Sequence, residues 1–318
     1  MRKVSFCLFL ILALVLSGCT SNPSSSNLNK VGLLLEDTID DKGWNFKGYQ
    51  GLLKIQSDLN VDVYFKEEID TLQKVKSAVS EFHENDVNLI FGHGRVFAEY
   101  FNEVSTQYPD IHFVSFNGKV NGKNVTSLHF NSHAMGFFAG MVAAKMSDSN
   151  NIGIIAAFSW QPEIEGFIKG AEYHNSDINV TIEFVKDWAD VERALQILEN
   201  MNKDGVDVYY PAGDGFHIPI IEEIKKNGHF AIGFVSDQSD LGDSTVLTST
   251  VQHVDNLYQV VAQRYNSGQL ESGNLYYDFG DGVITLGEFS SIVPEEFQAE
   301  VLAAIDNYIN TGKLPTEE

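Results

Sequence analysis

The side chains best placed for chemistry in this chain are recognisers of a flat polar ring, not catalysts. Trp44 follows Gly43 at the mouth of a helical stretch, and Asn45 beside it can both donate and accept. An indole there either stacks on a flat ligand or packs as the core aromatic of an amphipathic helix. Gly92-His93-Gly94 offers backbone N–H groups where a helix opens, or forms a tight turn beneath a cleft. His93 has no second histidine at metal-ligand spacing, so no metal is expected. Trp160 lies in a loop after an apolar run. Phe167 falls on a helix, either facing a ligand or facing the core. In Gly213-Asp214-Gly215, Asp214 either accepts from a ligand or caps the helix that follows. G-x-S-x-G and H-E-x-x-H are absent, so the chain does not read as an enzyme and no cofactor is expected.

These residues need a scaffold, and the sequence alternates to provide one. Apolar or β-branched runs at Val31–Leu35, Val61–Phe65, Asn88–Phe91 and His112–Phe116 are separated by helical spacing over Trp44–Leu59, Leu72–Asn85 and Val96–Tyr108. Strands alternating with helices of this length predict βαβ units and a parallel sheet. The alternation restarts after residue 130, with Ser132 as the cap of a helix running to about Met146. Strands follow at Ile152–Ala156, Val180–Phe184, Asp207–Tyr210, Ala231–Phe234 and Val246–Ser249. Between them come helices at Glu163–Asn175, Val191–Lys203 and Ile218–Asn227. The tail adds a helix at His253–Ser267, two short strands near Leu275–Asp278 and Val283–Leu286, and a last helix from Pro294. The fold class is therefore α/β, with two doubly wound lobes. Ligands of such sheets sit beyond the carboxyl ends of the strands, where the candidate residues cluster.

The amino terminus carries a different chemistry. Arg2 and Lys3 precede an apolar stretch from Val4 to Leu16, and small residues follow, which is the layout of a secretory signal. Cys19, directly after Leu16-Ser17-Gly18, resembles the lipobox of bacterial lipoproteins; an ordinary signal with an incidental cysteine is the other reading. The resemblance implies a diacylglyceryl group on the Cys19 thiol, removal of residues 1–18, and anchoring by acyl chains such as palmitate. Two chains hold stably where one does not. Residues 19–29 are polar, Ser/Asn-rich and uncharged, and predict a flexible tether. Cys7 leaves with the signal, so no thiol remains for disulfides, zinc or nucleophilic catalysis.

The whole chain carries a formal charge of −23, and losing Arg2 and Lys3 makes the mature charge two units more negative. So acidic a body repels DNA and anionic lipid, and direct nucleic-acid binding is excluded as an expectation. After the signal no apolar run approaches the roughly 20 residues that span a bilayer.

Six segments in order resemble the basic membrane protein family, the PnrA-like substrate-binding lipoproteins of ABC transporters. They are Ile39–Asn45 with Gly48–Leu52, Phe137–Ala144, Gly166–Gly170 after Pro162, Val206–Tyr210 with Ala212-Gly213, Ile232-Gly233 with Asp237–Ser239, and Val246–Val251. Ser159–Glu163, Pro211–Gly215, Ser236–Gly242 and Thr248–Gln252 place the chain nearest a branch of positive regulators of competence. The resemblance implies a type I periplasmic-binding fold whose chain crosses three times between lobes, with 30–130 plus 248–278 in one and 131–247 plus 279–318 in the other. It implies a nucleoside-like solute held between Trp44 and Phe167, with Asn45 bonding it. Gly92, His93, Trp160, Gly213 and Asp214 would line the cleft, and Glu36 or Asp37 would stand near a ribose-binding carboxylate or be a solvated loop charge. It also implies an ABC permease as partner and a monomeric protein.

Three positions depart from the family. Asn117 and Val235 stand where nucleoside binders have Asp, and Gln252 stands where they have Lys. Charge-assisted hydrogen bonds are roughly twice as strong as neutral ones. The departures therefore imply a different ligand, weaker binding or lost binding, unless Asp237 substitutes. Uptake of solute and indirect regulation from the cell surface both remain open at this point.

Overall fold

The computed structural model describes residues 27–39 and 43–317. The signal segment, Cys19, most of the tether and Asp40-Asp41-Lys42 of the first signature lie outside the described residues. Residues 27–29, expected to belong to the tether, are docked: Leu28 is buried, and its N–H donates to Asn266 Oδ1 at 3.2 Å.

The sequence alternation becomes two six-stranded sheets. The first contains β1 (Lys30–Leu35), β2 (Asp62–Lys66), β3 (Leu89–His93), β4 (His112–Phe116), β5 (Val125–Phe130) and β11 (Gly273–Tyr277), in the order β11-β5-β4-β3-β1-β2. The second contains β6 (Asn151–Ala156), β7 (Asn179–Phe184), β8 (Val208–Ala212), β9 (Phe230–Val235), β10 (Val246–Gln252) and β12 (Ile284–Leu286), in the order β12-β10-β9-β8-β6-β7. Pairing is parallel throughout the first sheet. In the second only β12 runs antiparallel, against β10. Helices cover both faces of each sheet, which is why the central strands read as unbroken apolar runs.

On the first sheet, α1 (Trp44–Leu59) and α8 (Val254–Asn266) lie on one face, with α2 (Leu72–Glu84) and α3 (Val96–Val104) on the other. On the second, α4 (Ser132–Met146), α5 (Pro162–His174) and α9 (Glu295–Thr311) lie opposite α6 (Val191–Lys203) and α7 (His217–Lys226). One apolar core continues from the α1/α8 layer into the α4/α5 layer and joins the lobes.

The structure differs from the sequence reading in four places. Strand β5 is absent from the sequence pattern, because it buries Thr126 on one face and Ser127 on the other, so its run is not apolar. The helix expected over 96–108 stops at Val104 and tightens into a 3-10 turn over Ser105–Gln107. Ser132 does not cap α4; it is the first helical residue, and Asn131 holds the cap position without a side-chain cap bond. Finally, β10 pairs within the second sheet up to Gln252, so the residues from Thr248 to Gln252 do not join the first lobe as implied. The second passage between sheets falls at His253.

The other two passages lie at Asn131 and Asp278, and they are tied together. The Asn131 N–H donates to Tyr277 O at 2.8 Å, its amide Nδ2 donates to Asp278 Oδ2 at 2.7 Å, and the Tyr308 hydroxyl donates to the same carboxylate.

Candidate ligand cleft

The loops at the carboxyl ends of the two sheets meet across the groove between the lobes. Trp44 starts α1, and its N–H donates to Asp214 Oδ2, in the loop after β8, at 2.5 Å. Lys47, one turn on, reaches across to Gln252 O at 3.4 Å. Arg95, after β3, places its guanidinium 4.8 Å from the centre of the Trp160 ring, in the loop after β6.

Trp44 is half-buried, and its surroundings are aromatic. Its ring stacks on His93 with centroids 4.3 Å apart and planes at 16°, and meets the edges of Phe116 and Phe130. One indole face is thus covered by the protein itself. His93 is 1% exposed, and both its nitrogens are used: Nε2 donates to Trp44 O at 2.7 Å, and Nδ1 accepts from the Tyr258 hydroxyl at 2.9 Å. Burial pushes its pKa down to about 3, with Lys47 adding to the shift, while the bond to the Trp44 carbonyl opposes it. His93 is therefore a neutral positioning residue, not a ligand donor. Gly92 is required beneath it, since a Cβ would lie 2.4 Å from the Phe97 side chain.

Other expected residues also take up structural roles. Phe167 is fully buried and stacks on Tyr210 at 5.0 Å, so it takes the core alternative. Asp237 is spent on its own lobe: it accepts from Ser239 N–H and Glu288 N–H, so it does not stand in for the missing carboxylate. Gly213 packs on the Phe216 ring, and its carbonyl accepts from His217. Asp214 does not occupy the cap position of α7, which falls to Phe216; it bonds across the cleft instead. Glu36 and Asp37 are exposed at the end of β1. The Glu36 carboxyl lies against Gly94, and partial desolvation, then Asp37 and Asp70, push its pKa up. Asn45 is half-buried beside Trp44.

Four residues escaped the sequence reading. Lys47 lies at i+3 from Trp44, so helical spacing alone placed it on the same face. Desolvation lowers its pKa, while Asp255 and Asp214 oppose the shift. Arg95 directly follows the Gly92-His93-Gly94 turn. Trp188 builds an aromatic rim with Phe158 and Trp160, with ring centroids 5.3 to 5.8 Å apart. Glu163 carried no signal, because an acid in the first turn of a helix is ordinary. Here it is 5% exposed, accepts from Gln161 Nε2 at 2.9 Å, and has its pKa raised by burial.

Residues 28–318 match the Bmp family, described as ABC transporter substrate-binding protein PnrA-like. The chain belongs to this family. It is 50% identical over 305 residues, covering 96% of both chains, to the transcriptional activator protein med of Bacillus subtilis (strain 168). It superposes with a TM-score of 0.86, at 55% identity, on the crystal structure of a transcriptional activator of the comK gene from Bacillus halodurans, covering 90% of this chain and 100% of that one. An ABC transporter solute-binding protein from Conexibacter woesei DSM 14684 shares the fold with a TM-score of 0.73 at 17% identity, covering 90% of this chain and 98% of that one. The fold is thus the periplasmic-binding fold shared with ABC transporter solute-binding proteins.

Against this family the three departures acquire positions. Asn117 ends β4 in left-handed backbone, at a φ of 55°, and is exposed. Val235 ends β9 at a φ of 64°, buried, with Ser236 N–H donating to Phe234 O across it. A β-branched residue in that conformation is strained, and its side chain makes no hydrogen bond. Gln252 is buried at the end of β10, and its carbonyl takes the weak bond from Lys47. A cation therefore does approach this corner of the cleft, but from the opposite lobe.

Proposed function

We propose that this protein is a lipid-anchored, extracytoplasmic member of the Bmp family whose output is regulatory, raising competence gene expression indirectly from outside the membrane. The observation that carries this reading is that the cleft turns its own polar groups on itself. Asp214 holds the Trp44 N–H, His93 covers one face of the indole, and Val235, buried at the end of β9, has no polar group to offer a sugar. Two relatives at half identity or more carry activator names, which supports the same direction. The acidic charge argues that regulation does not pass through direct contact with DNA.

The anchor is tested by Cys19→Ala or by blocking lipoprotein signal cleavage with globomycin. Either is expected to leave the chain unprocessed, at its full length with residues 1–18 retained. Unchanged processing would refute the anchor. A competence-gene reporter should lose activity when the chain is deleted, while gel-shift assays with the purified chain show no bound DNA. A reporter indifferent to the deletion would refute the regulatory output.

A second reading is delivery of a nucleoside-like solute to an ABC permease. It is favoured by the half-buried Trp44 with Phe116 and Phe130 at its edges and Asn45 alongside. Thermal melting against a nucleoside panel separates the two. A solute at 100 times its Kd adds about 2.7 kcal/mol of stability, or roughly 5–10 °C in Tm for a domain of this size. A shift of that order supports uptake; no shift with any nucleoside supports the regulatory reading.

A further inference from the structure

We infer that the lobes are latched shut by Asp214, whose carboxylate occupies the first amide of α1 in place of a solute group. The inference rests on reading the interlobe groove as the binding site, and it concerns how that site is controlled.

The geometry is specific to two positions in opposite lobes. The first four N–H groups of a helix have no acceptor within the helix. Trp44 is the first residue of α1, so its N–H must look outward, and it finds Asp214 Oδ2 170 residues further along the chain. The α1 cap position is Gly43, which has no side chain with which to cap the helix itself. A Cβ on Gly43 would stand 2.4 Å from Asp214 Oδ2 and 2.7 Å from its Cγ. The carboxylate thus lies directly on the Gly43 backbone, and only a residue without a side chain allows that approach.

The surrounding charges support the contact. A carboxylate at a helix N-terminus is favoured by the helix dipole, and its bond to an N–H is charge-assisted. Lys47 lies one turn along the same helix and interacts electrostatically with Asp214. At the rim, Arg95 over Trp160 makes a second link between the lobes. These groups belong to the protein, so closure needs no solute. A solute that enters must first part Asp214 from Trp44, and release of the latch, rather than closure on a guest, becomes the event that solute or a membrane partner controls.

The test uses the purified full chain without solute. The Trp44 amide has no helical acceptor, so its hydrogen exchange reports the latch directly. The chain has three tryptophans: Trp44 opens α1 at the groove, and Trp160 and Trp188 lie in strand-end loops of the other lobe, so acrylamide quenching reports opening chiefly through Trp44. In the wild type the Trp44 amide should be protected, and Trp160 and Trp188, 49% and 38% exposed, already admit quencher, so only the Trp44 contribution should be low. Asp214→Ala should speed that exchange at least about ten-fold, the loss expected for one hydrogen bond to a charged group, and should raise quenching. Gly43→Ala, which pushes on the carboxylate from the other lobe, should do the same. Asp214→Asn keeps a carbonyl acceptor and should fall between them. A wild-type Trp44 amide that exchanges at the rate of an unstructured peptide overturns the latch. So does unchanged exchange in both Asp214→Ala and Gly43→Ala. Because no solute is present, failure of every nucleoside to bind would not mimic either result.

Discussion

Gly140→Ala and Gly170→Ala are each expected to lower the melting temperature by roughly 6–12 °C. The reason is the contact between α4 and α5. Gly136 and Gly140 sit four residues apart on α4, and Gly166 and Gly170 four apart on α5. Cβ atoms there would lie 2.1 Å from Glu163 O, 2.1 Å from Phe167 O, 1.9 Å from His133 O and 1.8 Å from Phe137 O, respectively. Each helix thus rests its glycines on the backbone carbonyls of the other. A clash with a flexible side chain can be relieved by a rotamer change, but a clash with backbone cannot. The helices must move apart along their whole contact, and Phe167, stacked on Tyr210 within that layer, must move with them. Overpacking of this kind costs about 3 kcal/mol or more. Gly280→Ala is the matched control, since its nearest neighbour would be 3.8 Å from the added Cβ; it should melt within about 2 °C of wild type. Equal melting of Gly140→Ala, Gly170→Ala and Gly280→Ala would show that the two helices are not in backbone contact.

Acid is expected to unfold the protein through histidines that stay neutral in the native state. Burial lowers the pKa of His93 to about 3 and that of His112 to about 4, against the 6.5 of an exposed imidazole. Below pH 6.5 the unfolded chain takes up protons that the folded chain refuses. Stability is therefore fully present above pH 6.5 and is lost as the pH falls toward the folded values, by on the order of 1.4 kcal/mol per pH unit for each histidine. His129, His133, His174, His217 and His253 are shifted in the same direction. Glu163 acts in the opposite sense: its raised pKa lets the native state bind a proton first, which offsets part of the loss. Two strongly shifted histidines outweigh one carboxyl, so denaturant unfolding between about pH 7.5 and 4.5 should show stability falling with pH. His93→Gln can still donate to Trp44 O but does not titrate, and it should remove about one proton from that slope. A wild-type slope near zero, or one unchanged in His93→Gln, would contradict the burial of His93.

Both results depend on how much of the molecule local pattern could reveal. The strands and helices were largely legible, because a strand covered by helices on both faces must be apolar along its length, and a helix on such a sheet must be apolar at every third or fourth residue. Strand β5 was illegible because Thr126 is buried not as an apolar residue but as a donor, its hydroxyl bonding Glu271 O. The sheet membership of Thr248–Gln252 was illegible for a related reason. The run looks the same whichever lobe it joins, and only its pairing with β9 and β12 decides.

What the sequence determined by itself was the alternation of elements, their family, the absence of catalytic motifs, and a strand-end position for nearly every candidate residue. All of these follow from local spacing and residue type. The tertiary structure alone decided what those residues do there. It set His93 against Trp44 and Phe167 against Tyr210, tied Asp237 to Glu288 and Asp214 to Trp44, and sank Glu163 into the second lobe. Such partners lie tens to hundreds of residues apart in the chain, and no periodicity carries that distance. A side chain's role depends on which groups desolvate it and which accept its protons, and both are properties of the folded contact.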